Sequence, residues 1–134
     1  MQHLESRLAE PGYAIVGAFD ADGRLVGSCG LFTNRQRKRA HRIYIWGVYV
    51  TPAARGQGVA RAIMLAALDT ARAWPGVTSV GLSVSVRSTG ARALYESLGF
   101  VAWGTEPECL SLDGTLIDEV HMVCRLVDPG RSEP

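Results

Sequence analysis

The stretch that most constrains this chain is residues 48–60, Val-Tyr-Val-Thr-Pro-Ala-Ala-Arg-Gly-Gln-Gly-Val-Ala. Residues 43–50 are β-branched and aromatic and read as a strand, and Thr51-Pro52 ends it. From Gly58 to Ala73, Val59, Ile63, Met64, Ala67, Leu68 and Ala71 recur at three- and four-residue steps. That spacing predicts an amphipathic helix, closed by Pro75-Gly76. A strand that turns through Arg55-Gly56-Gln57-Gly58 into such a helix needs a sheet for the helix to pack on. It also sets the helix's unpaired N–H groups and positive dipole end beside two residues without a Cβ, which suits an anion. The turn is no Walker loop, because no Gly-Lys-Ser/Thr follows, and no dinucleotide fingerprint, because Arg61 stands where a third Gly is required. Taken alone, it fits equally well a turn with no function.

The rest of the chain supplies the sheet. Residues 13–19 and 25–32 read as strands joined at Asp20-Ala21-Asp22-Gly23, a hairpin turn. Residues 2–10, with Leu4 and Leu8 four apart, suggest a short helix stopped by Pro11-Gly12. Residues 77–86 alternate, with Val80, Leu82, Val84 and Val86 on one side and Ser79, Gly81, Ser83 and Ser85 on the other. A helix over 88–98 follows, capped by Gly99. Strands at 100–105 and 116–126 flank a turn with Asp113-Gly114, and 129–134 reads as a frayed tail. One glycine stands out in the third strand: Ile43 and Ile45 share one parity, Val48 and Val50 the other, so a bulge at Gly47 would return all four to one face. At 134 residues the chain reads as one domain, 1–134. With 47% apolar and 20% charged residues and a net charge of +1, it is neither disordered nor a polyanion binder. Cys29, Cys109 and Cys124 show no CxxC pair or metal spacing, so neither a disulfide framework nor a zinc site is expected, and a cytoplasmic location is. No apolar run is long enough for a membrane span or a signal peptide.

A second constellation, Ala91-x-x-Leu94-Tyr95-x-x-x-Gly99-Phe100, closes the second helix. Together with Arg55-x-x-Gly58-x-Ala60 and the intervening strand, it resembles the paired signatures of the GNAT N-acetyltransferase superfamily, over roughly residues 13–126, and in particular a bacterial branch of uncharacterised members. The resemblance implies an α/β fold: a mixed, mostly antiparallel twisted sheet of about six strands, splayed at the acyl-CoA site, with helices on both faces and an abbreviated N-terminal strand and helix. It implies N-acetyl transfer from acetyl-CoA to a primary amine of a small molecule or peptide, by direct attack and without a metal. Val48, Tyr49 and Val50 would run beside the pantetheine, with a backbone N–H near Val48 polarising the thioester carbonyl. Arg55, Gly56, Gln57, Gly58, Val59 and Ala60 would hold the pyrophosphate, and Ser88 stands where the family commonly has a cofactor-contacting Asn. Its hydroxyl would also cap the second helix. Tyr95 would protonate the departing thiolate, since a phenol with a pKa of about 10 keeps its proton at neutral pH; its bland alternative is packing beside Leu94 and Leu98. The family usually has a further strand and helix before the strand at Tyr13, so a second subunit is expected to complete the acceptor wall, as a homodimer.

No Asp or Glu lies in residues 43–50 to serve as the base that accepts the amine's proton. Glu119, His121, His41 and an ordered water all remain open, each side chain fitting an ordinary surface position as well. The basic run Arg35, Arg37, Lys38, Arg39, His41 and Arg42 reads as a solvated loop. Contact with an acidic acceptor or the cofactor phosphates is the functional alternative. Without interleaved aromatic residues it makes a poor nucleic-acid surface. The rival from another class is a catalytically idle acyl-CoA-binding or regulatory module.

Overall fold

The computed structural model describes residues 3–6, 12–33 and 36–126. The elements are β1 (His3–Ser6), β2 (Tyr13–Phe19), β3 (Leu25–Thr33), β4 (Arg42–Val50), α1 (Val59–Ala73), β5 (Ser79–Ser85), α2 (Thr89–Ser97), β6 (Val101–Leu112) and β7 (Thr115–Arg125). They form one seven-stranded sheet in the order β1-β2-β3-β4-β5-β7-β6, antiparallel except for β4 against β5. The fold class is the expected α/β one.

Three expectations need correction. Residues 3–6 are a strand rather than part of a helix, pairing His3 with Phe19 through Ser6 with Val16. One Leu–Leu repeat cannot sustain an isolated helix of nine residues, whereas the free edge of β2 offers four residues a ready ladder. The N-terminal strand is therefore present. Second, β6 runs to Leu112 rather than 105, as a long ribbon with β7 turning at Asp113 (φ 49°) and Gly114 (φ 80°). The irregular Glu106–Leu110 register interrupts it, and Glu108 there has φ 55°. Such a bulge hides strand alternation from a sequence reading. Third, helices were expected on both faces, but both described helices pack on the same one. A Cβ at Gly27 would meet Ile63 and Val59 of α1, and the apolar side of β5 (Leu82, Val84) faces Ala91 and Tyr95 of α2. The reason is visible in β5: its other side is Gly81, Ser83 and Ser85, which offers an apolar helix nothing to bury against.

The core lies between that face and the helices. Leu31, Ile43, Ile63, Met64, Val80 and Met122 are completely buried, each worth about 1.5–3 kcal/mol over its exposed state. The Asp20–Gly23 turn is held by Asp20, whose Oδ1 accepts from the N–H groups of Asp22 (2.9 Å) and Arg24 (3.0 Å). The predicted tail, 129–134, and Arg35 of the basic run lie outside the described residues. Of the rest of that run, Arg37–Arg39 form a single exposed 3-10 turn.

Candidate active site

The bulge foreseen at Gly47 is there. Gly30 pairs with Trp46 and Ser28 with Tyr49, so Cys29 alone opposes Gly47 and Val48, and Gly47 has φ 66°. Ile43, Ile45, Val48 and Val50 all turn to the core as a result. The bulge also ends the pairing of β4 with β5, which extends only from Arg42–Ser79 to Tyr44–Gly81. Beyond Tyr44 the two parallel strands part. Ile45, Trp46, Gly47 and Val48 line one side of the resulting split and Leu82 to Ser85 the other, with Ser88, Ala91 and Tyr95 behind. The split holds a cleft of about 280 Å³.

A second hollow, about 220 Å³, lies further along β4 and is lined by Val50, Arg55, Gly56, Gly58, Ala60 and Leu94. Thr51–Ala54 makes a tight turn, and Gly56 (φ 79°) and Gly58 (φ 78°) then bring the chain into α1. A Cβ at either glycine would meet nothing within 4 Å. The left-handed backbone, not crowding, calls for glycine here, and the space beside both glycines is open. Arg61 donates to Ser97 Oγ (3.1 Å), which donates to the Leu94 carbonyl (2.6 Å), tying the start of α1 to the end of α2. The second hollow thus sits at a helix N-terminus, where helix geometry leaves the first N–H groups without intrahelical partners.

Tyr95 is fixed by its own motif. Phe100 N–H donates to the Tyr95 carbonyl (3.0 Å) and Gly99 N–H to that of Glu96 (3.1 Å), a Schellman cap with Gly99 at φ 99°. The Phe100 ring meets that of Tyr95 edge-on at 6.1 Å. Tyr95 is 6% exposed, yet lines the cleft. Burial, and then the nearby Cys29 thiol, push its phenol above the ordinary value. Cys29 is itself raised to about 12 by burial. Both therefore hold their protons at neutral pH.

Not every expected site residue points into the groove. Tyr49 stands on the opposite face, 51% exposed with the Arg55 guanidinium 5.8 Å over its ring, and lines neither hollow. Gln57 is turned back to the Ala53 carbonyl (3.3 Å), and Arg55 Nε donates to the Val50 carbonyl (3.0 Å). The Val59 side chain is in the core, leaving its N–H at the helix start. Ser88 lines the cleft and stands at the N-cap of α2, but its hydroxyl makes no capping bond. The cap was expected; Ser88 has φ −88° and ψ 64°, outside the extended conformation that turns an N-cap hydroxyl back over the first turn.

Of the open base candidates, His41 precedes β4, at the end remote from the bulge. Glu119 accepts from the Cys109 thiol (3.3 Å). His121 is hydrogen-bonded on both ring nitrogens: Nδ1 to Ser83 Oγ at 2.6 Å and Nε2 to Glu106 Oε1 at 2.8 Å. Ser83, Glu106 and Trp46 were not singled out from the sequence. The alternation of β5 placed Ser83 opposite the core, but its pairing with His121 depends on the β5–β7 register, which no local pattern reports. Among the described residues, no cluster of three or more His, Cys, Asp or Glu could hold a metal ion, and no helix is long and apolar enough to cross a membrane.

The architecture recurs in known proteins. A GNAT-family acetyltransferase from Streptococcus pneumoniae superposes with a TM-score of 0.82, covering 88% of this chain and 70% of that one at 19% identity. The structure of yncA from Salmonella typhimurium with its cofactor acetyl-CoA gives 0.79, over 92% and 69%, at 22% identity. At such identities the likeness shows the fold alone. Mycothiol acetyltransferase of Thermobispora bispora is 37% identical over 109 residues, 77% of this chain and 36% of its own length. That of Salinispora tropica is 34% identical over 105 residues, 75% and 34%. The chain thus spans about a third of the length of these relatives. The profile of the acetyltransferase (GNAT) family matches residues 2–100, well over half the chain, and the chain therefore belongs to that family.

Proposed function

We propose that this protein transfers the acetyl group of acetyl-CoA to a primary amine of a small molecule or peptide, by direct attack of the amine on the thioester. The observation that carries this reading is the pair of hollows set along β4, one in the β4–β5 split and one at the glycine turn that starts α1. An extended amide-bearing chain can lie along the unpaired edge of Val48, Tyr49 and Val50 as another strand would. Its pyrophosphate then meets the N–H groups of Gly56, Gln57, Gly58, Val59 and Ala60 and the charge of Arg55. Ser88 offers a hydroxyl to the same chain. In the split, a backbone N–H near Val48 stabilises the oxyanion, and Tyr95 gives its proton to the leaving thiolate. No step calls on a metal.

We read residues 1–134 as one acetyltransferase domain, acting in the cytoplasm as a homodimer. The dimer is supported by the exposed apolar side chains on the helix-free face, among them Phe32 (39%) and Trp46 (46%). Light scattering that finds only monomer at micromolar concentration removes it. For the activity, the test is a screen of amines, polyamines, amino acids, peptide N-termini and mycothiol-type acceptors (the last for the relatives' name) with a thiol reagent reading CoA release. Turnover with an amine supports acetyl transfer. Tight acetyl-CoA binding without turnover of any acceptor leaves an acyl-CoA-binding module instead.

A further inference from the structure

We propose that Ser83, His121 and Glu106 form the proton relay that deprotonates the acceptor amine. The inference rests on the acetyl-transfer reading and supplies the base it lacks. Ser83, on β5, and His121, on β7, are direct cross-strand partners, and Glu106 comes from β6. The three side chains form a chain with gaps of 2.6 and 2.8 Å, which starts at the lining of the split and ends at a carboxylate 54% exposed to solvent. The bonds select a tautomer. The carboxylate can only accept, so Nε2 carries the hydrogen and Nδ1 is the free lone pair, which takes the Ser83 hydroxyl proton. Trp103 stacks on the imidazole at 5.3 Å and holds the ring in plane with its partners.

The position matters as much as the chain. Tyr95 reaches the split from the helix-covered face and Ser83 from the other, so a proton donor and a proton acceptor lie on opposite sides of it. An amine entering from the helix-free face meets Ser83 first. Its ammonium gives a proton to Ser83 Oγ while the Ser83 proton moves to His121 Nδ1. The amine lone pair is freed for the new N–C bond, which replaces the C–S bond as Tyr95 protonates the thiolate. The second proton left on the new amide nitrogen restores the Tyr95 phenol, and the imidazolium is held by Glu106 until it loses the first proton to water. Among the described residues, the register sets Ser85 on β5 and Glu119 on β7 next to Ser83 and His121 on the same face, with the Cys109 thiol of β6 bonded to Glu119. None of them is a cation.

The test is steady-state kinetics of Ser83→Ala and His121→Gln with the primary alkylamine that gives the highest rate in the thiol-release screen. At neutral pH both variants should lose about a hundredfold in kcat, with KM for acetyl-CoA unchanged. The loss should shrink toward zero as pH approaches the amine's own pKa, near 10 for an alkylamine, because the free amine no longer needs a base. Glu106→Gln should show the same pH trend with a smaller loss. Added imidazole should restore part of the rate of His121→Gly. Wild-type kcat and pH profile in Ser83→Ala and His121→Gln, or an equal loss at every pH, overturns the relay while acetyl transfer stands. Absence of turnover by the wild-type protein with every amine overturns both.

Discussion

The two faces of this sheet are made by alternate residues of the same strands and are built on different terms. On β3, Cys29 and Leu31 are sealed with Gly27 beneath α1, while their neighbour Phe32 is 39% exposed and stacks on Tyr44 at 5.5 Å. On β5, Val80, Leu82 and Val84 are buried, while Ser83 is exposed and bonded to His121. The covered face is apolar and closed, and it sets stability. The open face carries rings and titratable groups. The two communicate where β4 and β5 part, and there the phenol of one face and the hydroxyl of the other border a common cleft.

The comparison can be broken first at the groove. Gly58→Val puts a β-branched residue at φ 78° and a side chain where the pyrophosphate would lie. Acetyl-CoA binding by calorimetry should be abolished, with about 1–2 kcal/mol of stability lost to backbone strain; unchanged affinity would remove the helix start from the site. Next, Tyr95→Phe keeps the ring packed against Phe100 and should lower kcat by about 10²–10⁴-fold while leaving acetyl-CoA affinity intact. A wild-type rate would make Tyr95 a packing residue of the covered face and nothing more. Third, two glycines of β3 compare the faces directly. At Gly27 an added Cβ stands 2.7 Å from Ile63 Cδ1 and 2.8 Å from the Tyr49 carbonyl, both fixed, so Gly27→Ala should cost about 1–3 kcal/mol in denaturant unfolding. At Gly30 the Cβ meets the Trp46 indole, which is 46% exposed and can swing aside, so Gly30→Ala should cost under about 1 kcal/mol. Equal costs would mean the open face is as tightly packed as the covered one. The smallest effect is Trp103→Ala. Its ring is 61% exposed, so the loss should stay below about 1 kcal/mol, from the stack on His121.

Much of the frame was legible because its signals are local. The apolar stripe of α1, the alternation of β5 and the Asp20–Gly23 and Asp113–Gly114 turns each follow from residues within a few positions of one another. So does the Gly47 bulge, since a change of parity inside one strand must be absorbed within it. The Leu94-Tyr95…Gly99-Phe100 signature turned out to be a helix cap that locks the Tyr95 carbonyl, again a local device. Residues 3–6 misled because their weak helical spacing competed with a distant strand edge, and the ladder won.

The sequence by itself determined that a strand must turn through glycines into an apolar-striped helix, and hence that the free N–H groups of a helix start stand beside two residues without a Cβ. Only the tertiary structure decided which strands part and what gathers at the parting. Helix propensity, turn chemistry and side-chain period act over a few residues, so one chain segment is enough to state them. The meeting of Ser83, His121 and Glu106 depends on how three strands are registered across the sheet, and a shift of one residue would turn each of them to the other face.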